Sequence, residues 1–548
     1  MKTLQTDILI IGGGVGGCAC ALAACKAGLH VIMTEESDWI GGQFTSQATP
    51  PDEHGWIEKF GCTRTYRQFR KAVRQFYRRY YPLNRPHDDF FEGDDMPEFI
   101  DAFSDPFLNP GNGWVSPLCA EPKVFLEIFN HLLAKYVKQG LLTILKNHIP
   151  IEAESEKNVV QTIKLKNLKT NTPLSISAKY FIDATELGDV LPLTNTDFVT
   201  GSESQAETHE PSAKAVANPH NVQAFSVCFA MSYHENEDFT IEKPENYEYW
   251  RNFTPHLTPA WSGKLLSLTG INPRTLQPIH YNFQPNNEPN KAFAGLWTYR
   301  RILHKENFIE GAFDSDITLV NYPQIDYLGG DLIPANYEER ARLIADAKAQ
   351  SLSFLYYLQS ELGFKGLKLR PDVVGTEDGL AKCPYIRESR RIKAEFTILE
   401  QHISAKYRPN ETYAHPFDDS VGVGFYRIDL HPSLGGDNYI DVESLPFQIP
   451  LGALIPIKTE NLLPVCKNIG TTHITNGCYR LHPIEWNIGE SVGYLLAFCL
   501  KNDVTPRQVR NTPELLRGYQ KMLKKQGVEI AWRKGLKLEE GDPHIHAM

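Results

Sequence analysis

The sequence predicts an α/β fold: a Rossmann-like domain built from discontinuous segments, with a mixed α+β domain inserted between them. Three observations carry that prediction. Four consecutive apolar residues, Ile8 to Ile11, run into the glycine-rich turn Gly12-Gly13-Gly14-Val15-Gly16-Gly17 and then into a helix of small residues. A second apolar strand follows and ends on an acid. Short apolar strands of the same kind return near residue 180 and again after residue 445, with a stretch of different character between them.

Taken in order, the first run reads as a buried parallel strand, since parallel strands covered on both faces are continuously apolar. Gly12, Gly14 and Gly17 have the spacing that lets a backbone approach a pyrophosphate, and the helix from Gly16 to Ala27 turns its N-terminus toward that charge. Gly28 is placed to end the helix. The strand Val31-Ile32-Met33 leads to Glu35, 18 residues past the third glycine, where an acid takes the ribose hydroxyls of a dinucleotide. Residues 51–114 break the pattern with dense aromatics, Arg and Pro. An amphipathic helix follows from Pro122 to Gly140, carrying Val124, Phe125, Ile128, Leu132 and Tyr136 on one face. Strands are expected at Leu141–Leu145, Ile149–Ala153 and Val159–Leu165, and then at Tyr180-Phe181-Ile182, which enters the turn Asp183-Ala184-Thr185-Glu186-Leu187-Gly188-Asp189. A long helix is expected over Tyr337–Gln359, short strands at Gln448–Leu454 and Leu462–Val465, and a last helix over Asn487–Leu500. The resulting division gives residues 1–50, 115–200 and 445–505 to the dinucleotide domain. Residues 51–114 and 201–444 go to a substrate domain, and 506–548 to a peripheral tail.

Bulk properties narrow the function classes. At 548 residues more than one domain is expected. A net charge of -10 offers no basic footprint for nucleic acid. No apolar run approaches the ~20 residues of a membrane span. With a core strand so close to residue 1, no signal peptide and a cytoplasmic location are expected. The ten cysteines form no CxxC pair and the 18 histidines no HxxxH or HExxH spacing, so no metal site is expected. A small molecule is the expected partner, and oligomeric state is not readable.

An interrupted dinucleotide domain without a second GxGxxG suits FAD better than NAD. By its motifs the chain resembles the FAD-dependent oxidoreductases with the fumarate reductase/glutathione reductase type of FAD domain, in a subgroup without an assigned substrate. Gly12–Gly17, Trp39-Ile40-Gly41-Gly42-Gln43 and Asp183–Asp189 are motifs shared by many flavoproteins. The segments Pro384–Ile392, Tyr426–His431 and Asn476–Glu490 belong to the narrower group. The resemblance implies that Gly41 and Gly42 lie by the pyrophosphate, Gln43 and Ser46 by the flavin ring, and Ile149 by the adenine. It implies that Asp183, Ala184, Thr185 and Glu186 turn beside the adenosine half, and that the helix entered at Asn487 points its positive end at the flavin. Gly16, Glu36, Asn468 and Ile488 join this cofactor-binding set beside their neighbours. Two departures stand out: Glu186 and Cys466 occupy positions where glycine is common in the wider superfamily, so the backbone at Glu186 must not need a positive φ.

Flavin chemistry needs a substrate C–H facing the ring and a base at the adjacent O–H or N–H. His431 is the expected base, with Asp429 two residues away on the same strand face to hold its ring; the alternative is a structural histidine. Arg480 is the expected anion holder, similar in place to the carboxylate-binding arginine of the fumarate reductase relatives, or else a salt-bridge partner of Glu485. His473 and His482 flank that loop as further pocket candidates. The expected reaction is oxidation of a small organic molecule by hydride transfer to flavin N5. A flavin-dependent monooxygenase, or a non-redox lyase or isomerase, is the alternative.

Overall fold

In the computed structural model, residues 3–84, 108–286 and 295–541 are described, and the part of the 51–114 assignment from 85 to 107 lies outside them. The main sheet has seven strands drawn from three distant parts of the chain. Strands β1 (Thr3–Ile11), β2 (Val31–Glu35), β3 (Leu142–Lys146), β4 (His148–Glu156), β5 (Val159–Asn167) and β6 (Pro173–Asp183) run in the order β3-β2-β1-β6-β5-β4. The strand Leu462–Pro464 pairs in parallel with the last residues of β6. Parallel pairing of β1 with both β2 and β6 places the Gly12 turn and Asp183 at the same edge of the sheet. Helix α1 (Val15–Lys26) lies against the helix His482–Asn502. That contact is tight enough that a Cβ on Gly489 would fall 2.0 Å from the Gly16 carbonyl oxygen.

The inserted half is built on a four-stranded antiparallel sheet, ordered Arg301–Leu303, Ile317–Val320, Phe229–Tyr233, Leu367–Leu369. The helix Tyr337–Ser360 packs Leu343, Phe354, Leu355 and Leu358 into its core.

Three expectations are corrected here. Helix α2 (Arg64–Tyr80), given by its composition to the substrate domain, packs with the dinucleotide half. Its Phe69 ring lies 4.7 Å from Phe129 of helix α3 (Pro122–Lys138) and 5.0 Å from Trp486. Its Arg70 and Arg74 are buried against Glu53 and Glu58. The tail after 505 is not peripheral in its described part. Trp532 donates from Nε1 to the Phe447 carbonyl at 2.8 Å, its ring packs on Trp56, and Gly55 N–H donates to the Gly541 carbonyl at 2.9 Å. The last helix starts at His482, not Asn487, because Pro483 has a first-turn φ and no N–H to lose there. No described helix is long and apolar enough to cross a membrane.

Candidate active site

The cofactor side begins at the two glycine turns. Gly12 has φ +103, open only to glycine at low cost, because a side chain there would strike the Ala184 carbonyl oxygen at 2.2 Å. Gly17 approaches the Gly12 carbonyl equally closely and keeps α1 against the turn. Gly14 and Gly42 face one another: a Cβ on Gly42 would lie 2.9 Å from the Gly14 Cα, and a Cβ on Gly14 would lie 2.9 Å from Glu186 Oε1. Gly41 N–H donates to the Gly13 carbonyl at 2.7 Å, which ties the two turns together. Gly16 differs from its neighbours. Its missing side chain makes room for Val465 and for the helix His482–Asn502, so packing alone requires glycine there.

At the end of β2, Glu35 accepts hydrogen bonds from Gly13 N at 3.0 Å and Ser37 N at 2.9 Å. Burial pushes its carboxyl up to about 7. Glu36 beside it is exposed. Ile149 opens β4 half-buried, next to the point where Asn147 N–H donates to the Ser37 carbonyl at 3.2 Å. Asp183 braces the following turn, accepting from Thr185 N and Oγ1 and from Val190 N, while Ala184 N–H donates to the Ile11 carbonyl. Glu186 is not among the positive-φ residues, as its side chain requires. Asn468 ties the third chain segment in, donating to the Asp183 carbonyl at 3.1 Å. Ser46 is buried, with its hydroxyl 3.4 Å from the Gly42 carbonyl.

Lys467 is buried between Glu186 and Glu485, which keeps its ammonium charged despite burial. Glu485 is therefore the partner of Lys467, not of Arg480. Asn487 and Ile488 stand in the second turn of the helix His482–Asn502, not at its positive end. Asn487 instead accepts from Val423 N and donates to the Val421 carbonyl, and Ile488 is core.

The donor set fits a flavin. Gln43 Nε2 donates to the Arg480 carbonyl at 2.9 Å, and Asp52 N–H donates to His482 Nδ1 at 3.4 Å. Along this seam Gln43 Oε1, Gln47 Oε1, Asp52 Oδ1, Arg480 Nε, His482 Nε2 and Glu485 Oε2 are buried without a partner. Orphaned buried polar atoms are rare in folded chains, and a run of them matches a polar ring system lying along the seam.

A cleft of about 880 Å3, counting its open mouth, adjoins this seam. Tyr299, Arg300, Tyr426, Asp429, His431 and Tyr439 are among its lining residues, with Gly541 of the tail closing one side. His431 follows the short strand Ile428–Leu430 and is fixed from a distant part of the same inserted segment: its Nδ1 donates to Asp326 at 2.6 Å. Asp326 also pairs with Arg387 at 3.0 Å and accepts from Ser226 at 2.9 Å. Burial opposes the charge of Asp326, yet Arg387 and His431 outweigh it and hold the carboxyl below its usual range. Asp429, expected to hold the ring, lies 3.9 Å from Nε2 instead. The side chain of the strand's own acid approaches the wrong nitrogen.

Three other expected catalytic residues lie elsewhere. Arg480 is 3% exposed and behind the cleft, donating to Tyr385 Oη at 2.7 Å and to the Asp429 carbonyl at 3.1 Å. Its guanidinium is engaged by the protein, not presented to a ligand in the cleft. His473 is buried against Glu388 at 2.9 Å and borders a separate cavity of about 230 Å3. Burial works against its charge, and the Glu388 carboxylate raises its pKa nonetheless. His482 is fully buried, edge-on to Phe44, and burial drives its pKa down to about 3, so it stays neutral.

Sequence reasoning missed Asp326, Arg300 and Asp52. Only Asp52 had a local signal, the polar run Asp52-Glu53-His54 directly after the glycine-rich segment.

Among curated proteins, the mitochondrial glycerol-3-phosphate dehydrogenase of Saccharomyces cerevisiae is 45% identical over 56 residues, 10% of this chain and 8% of that protein. The hydroxyneurosporene desaturase of Rhodobacter capsulatus is 44% identical over 46 residues, 8% of this chain and 9% of that one. These matches therefore span under a tenth of either relative. Among solved structures, the myxobacterial chondrochloren halogenase CndH has a TM-score of 0.34 at 9% identity, covering 95% of this chain and 80% of its own. A geranylgeranyl bacteriochlorophyll reductase-like protein of Thermoplasma acidophilum has 0.30 at 11%, covering 96% and 85%. Residues 7–523 match the family described as FAD dependent oxidoreductase, and the chain belongs to it: it is an FAD-dependent oxidoreductase.

Proposed function

We propose that this flavoprotein oxidises a small organic molecule bound in the cleft, and that His431 is the proton acceptor. The carrying observation is the 2.6 Å hydrogen bond from His431 Nδ1 to the buried Asp326. A carboxylate on Nδ1 fixes the tautomer with Nδ1 protonated, so Nε2 keeps a lone pair. That lone pair faces the cleft, and Asp429 lies 3.9 Å from it.

FAD, when bound, supplies the acceptor for the two electrons and the hydrogen of the substrate C–H. The chain's residues do the rest. The backbone of Gly12–Gly14 and Gly41–Gly42 is shaped to admit the pyrophosphate, and the Gln43–His482 seam offers its orphaned polar atoms to the ring. His431 Nε2 takes the proton from the O–H or N–H next to the reacting carbon, which becomes C=O or C=N. Tyr299, Tyr426 and Tyr439 wall the cleft and limit water.

Anaerobic mixing of FAD-loaded protein with candidate alcohols and amines tests the reading. A substrate that bleaches the flavin band without NAD(P)H, with the rate falling about 10²–10⁴-fold in His431→Asn at full flavin content, is the expected result. Bleaching only by NAD(P)H points to a monooxygenase, and turnover without bleaching points to a lyase or isomerase; either overturns it.

A further inference from the structure

Arg300 lines the cleft together with His431. Its guanidinium makes one hydrogen bond, from Nη1 to the Asn321 carbonyl at 2.8 Å, and its plane stands 4.8 Å from the centre of the Tyr299 ring. Its Nε is buried without a partner. Among the described residues no carboxylate lies within ion-pair distance of it. Nearby arginines differ: Arg387 has Asp326, Arg301 has Asp316, Arg427 has Asp441 and Arg480 has Asp429. The charge of Asp52 reaches Arg300 without contact, and burial pushes Asp52 up toward its neutral form.

A guanidinium stays ionised in any protein environment, and taking one out of water without a counter-charge is unfavourable. With Nη1 occupied by Asn321, the Nε–Nη2 edge is the one left without an acceptor. Two parallel N–H bonds on one edge match the two oxygens of a carboxylate. The aromatic face of Tyr299 fixes the plane of the fork, so the edge keeps its direction.

We propose that Arg300 recognises a carboxylate of the substrate, so that the molecule oxidised in this cleft is a small organic acid whose C–H and neighbouring O–H or N–H lie toward His431. This rests on the cleft being the site of oxidation. The carboxylate anchors one end of the molecule while His431 serves the other. The unpaired guanidinium then gains its counter-charge only when substrate is bound, which favours acids over neutral analogues of the same shape.

The test is binding without turnover. FAD-loaded wild type, Arg300→Met and Arg300→Lys are titrated with benzoate, propionate, benzamide, propionamide and inorganic phosphate. Flavin difference spectra and thermal unfolding are the two readouts. Benzoate or propionate is expected to bind wild type roughly 30- to 1,000-fold more tightly than its amide, with Arg300→Met losing that preference and Arg300→Lys recovering part of it. Equal affinity for acid and amide, tighter binding of phosphate than of either carboxylate, no response to either acid, or unchanged benzoate affinity in Arg300→Met would overturn the proposal. So would loss of flavin from Arg300→Met with carboxylate affinity intact, since the guanidinium would then serve the cofactor. If Arg300→Met does not fold, the acid–amide comparison and Arg300→Lys decide. Carboxylate binding that depends on Arg300, in a protein whose flavin no substrate bleaches, would sink the oxidation reading and leave this one standing.

Discussion

Gly14 and Gly16 stand two residues apart in one motif, and their substitution should fail in opposite ways. At Gly14 the backbone is extended, with φ -65, so an L side chain is tolerated. The nearest atom to an added Cβ is Glu186 Oε1 at 2.9 Å, the far end of a flexible side chain, and the next lies at 3.9 Å. Gly14→Val should therefore fold. Its methyl groups would occupy the gap between Gly14 and Gly42 that the pyrophosphate needs. Losing about two charge-assisted backbone bonds to phosphate at ~1.5–3 kcal/mol each amounts to about 3–6 kcal/mol, or roughly 10²–10⁴-fold in FAD affinity. At Gly16 the added Cβ would lie 1.7 Å from the Val465 carbonyl oxygen, which is backbone held in the sheet and does not move aside. Helix α1 would have to move away from Val465 by more than an ångström, and that overpacking costs about 3 kcal/mol or more. Urea unfolding of apoprotein, followed by tryptophan fluorescence, and FAD titration of the refolded apoprotein separate the two outcomes. Full flavin occupancy in Gly14→Val, or wild-type stability in Gly16→Ala, would refute the division of labour.

Other outcomes follow from buried charges and from the tail. Asp326→Asn should slow flavin reduction by substrate about 10²–10⁴-fold, because His431 loses the carboxylate that sets its tautomer; it should also lower stability by up to about 3–5 kcal/mol, because Arg387 is left without its counter-ion. Stopped-flow reduction and urea unfolding check both numbers. Glu58, held by Arg70 and Arg74 against the opposing effect of burial, has its carboxyl lowered from 4.5 to about 2. Its folded pKa lies below the unfolded one, so its stabilisation is complete above about pH 4.5 and is lost as pH falls toward 2, about 3 kcal/mol in all. Unfolding free energies of wild type and Glu58→Gln should accordingly converge as pH falls from 5 to 2; a constant gap refutes the assignment. Trp532→Ala should lower the melting temperature and loosen ligand binding in the cleft, since Trp532 packs on His54 and Trp56, and His54 and Gly541 line the cleft. A change in melting temperature without any change in ligand affinity would restrict the tail to a structural role.

The cofactor half was largely legible because its determinants are local. A backbone that must approach a phosphate leaves glycines at fixed intervals, and a parallel strand leaves an apolar run. Both signals sit within residues 8–42 and need no knowledge of distant contacts. The three-segment sheet was legible for the same reason, each segment carrying its own apolar strand. Where local pattern and tertiary packing conflicted, packing decided. The helix was expected to start at Asn487, but Pro483 permits an earlier start and moves Asn487 into the second turn, where it braces the strand Ser420–Gly424. Helix α2 looked like part of an insertion because of its dense aromatics and arginines; only the fold supplies the Glu53 and Glu58 that let Arg70 and Arg74 be buried.

By itself, then, the sequence determined the fold class, the flavin and the identity of His431 as a candidate, each from residues close together in the chain. The partner of His431 was decided by tertiary structure alone. Asp326 is 105 positions away with no motif around it, and it takes Nδ1 while the adjacent Asp429 approaches Nε2. Arg300 and Gly541 reach the cleft likewise from separate parts of the chain. Contacts between remote segments carry no periodicity and no spacing, since their geometry is set by how the two sheets and the tail close on one another.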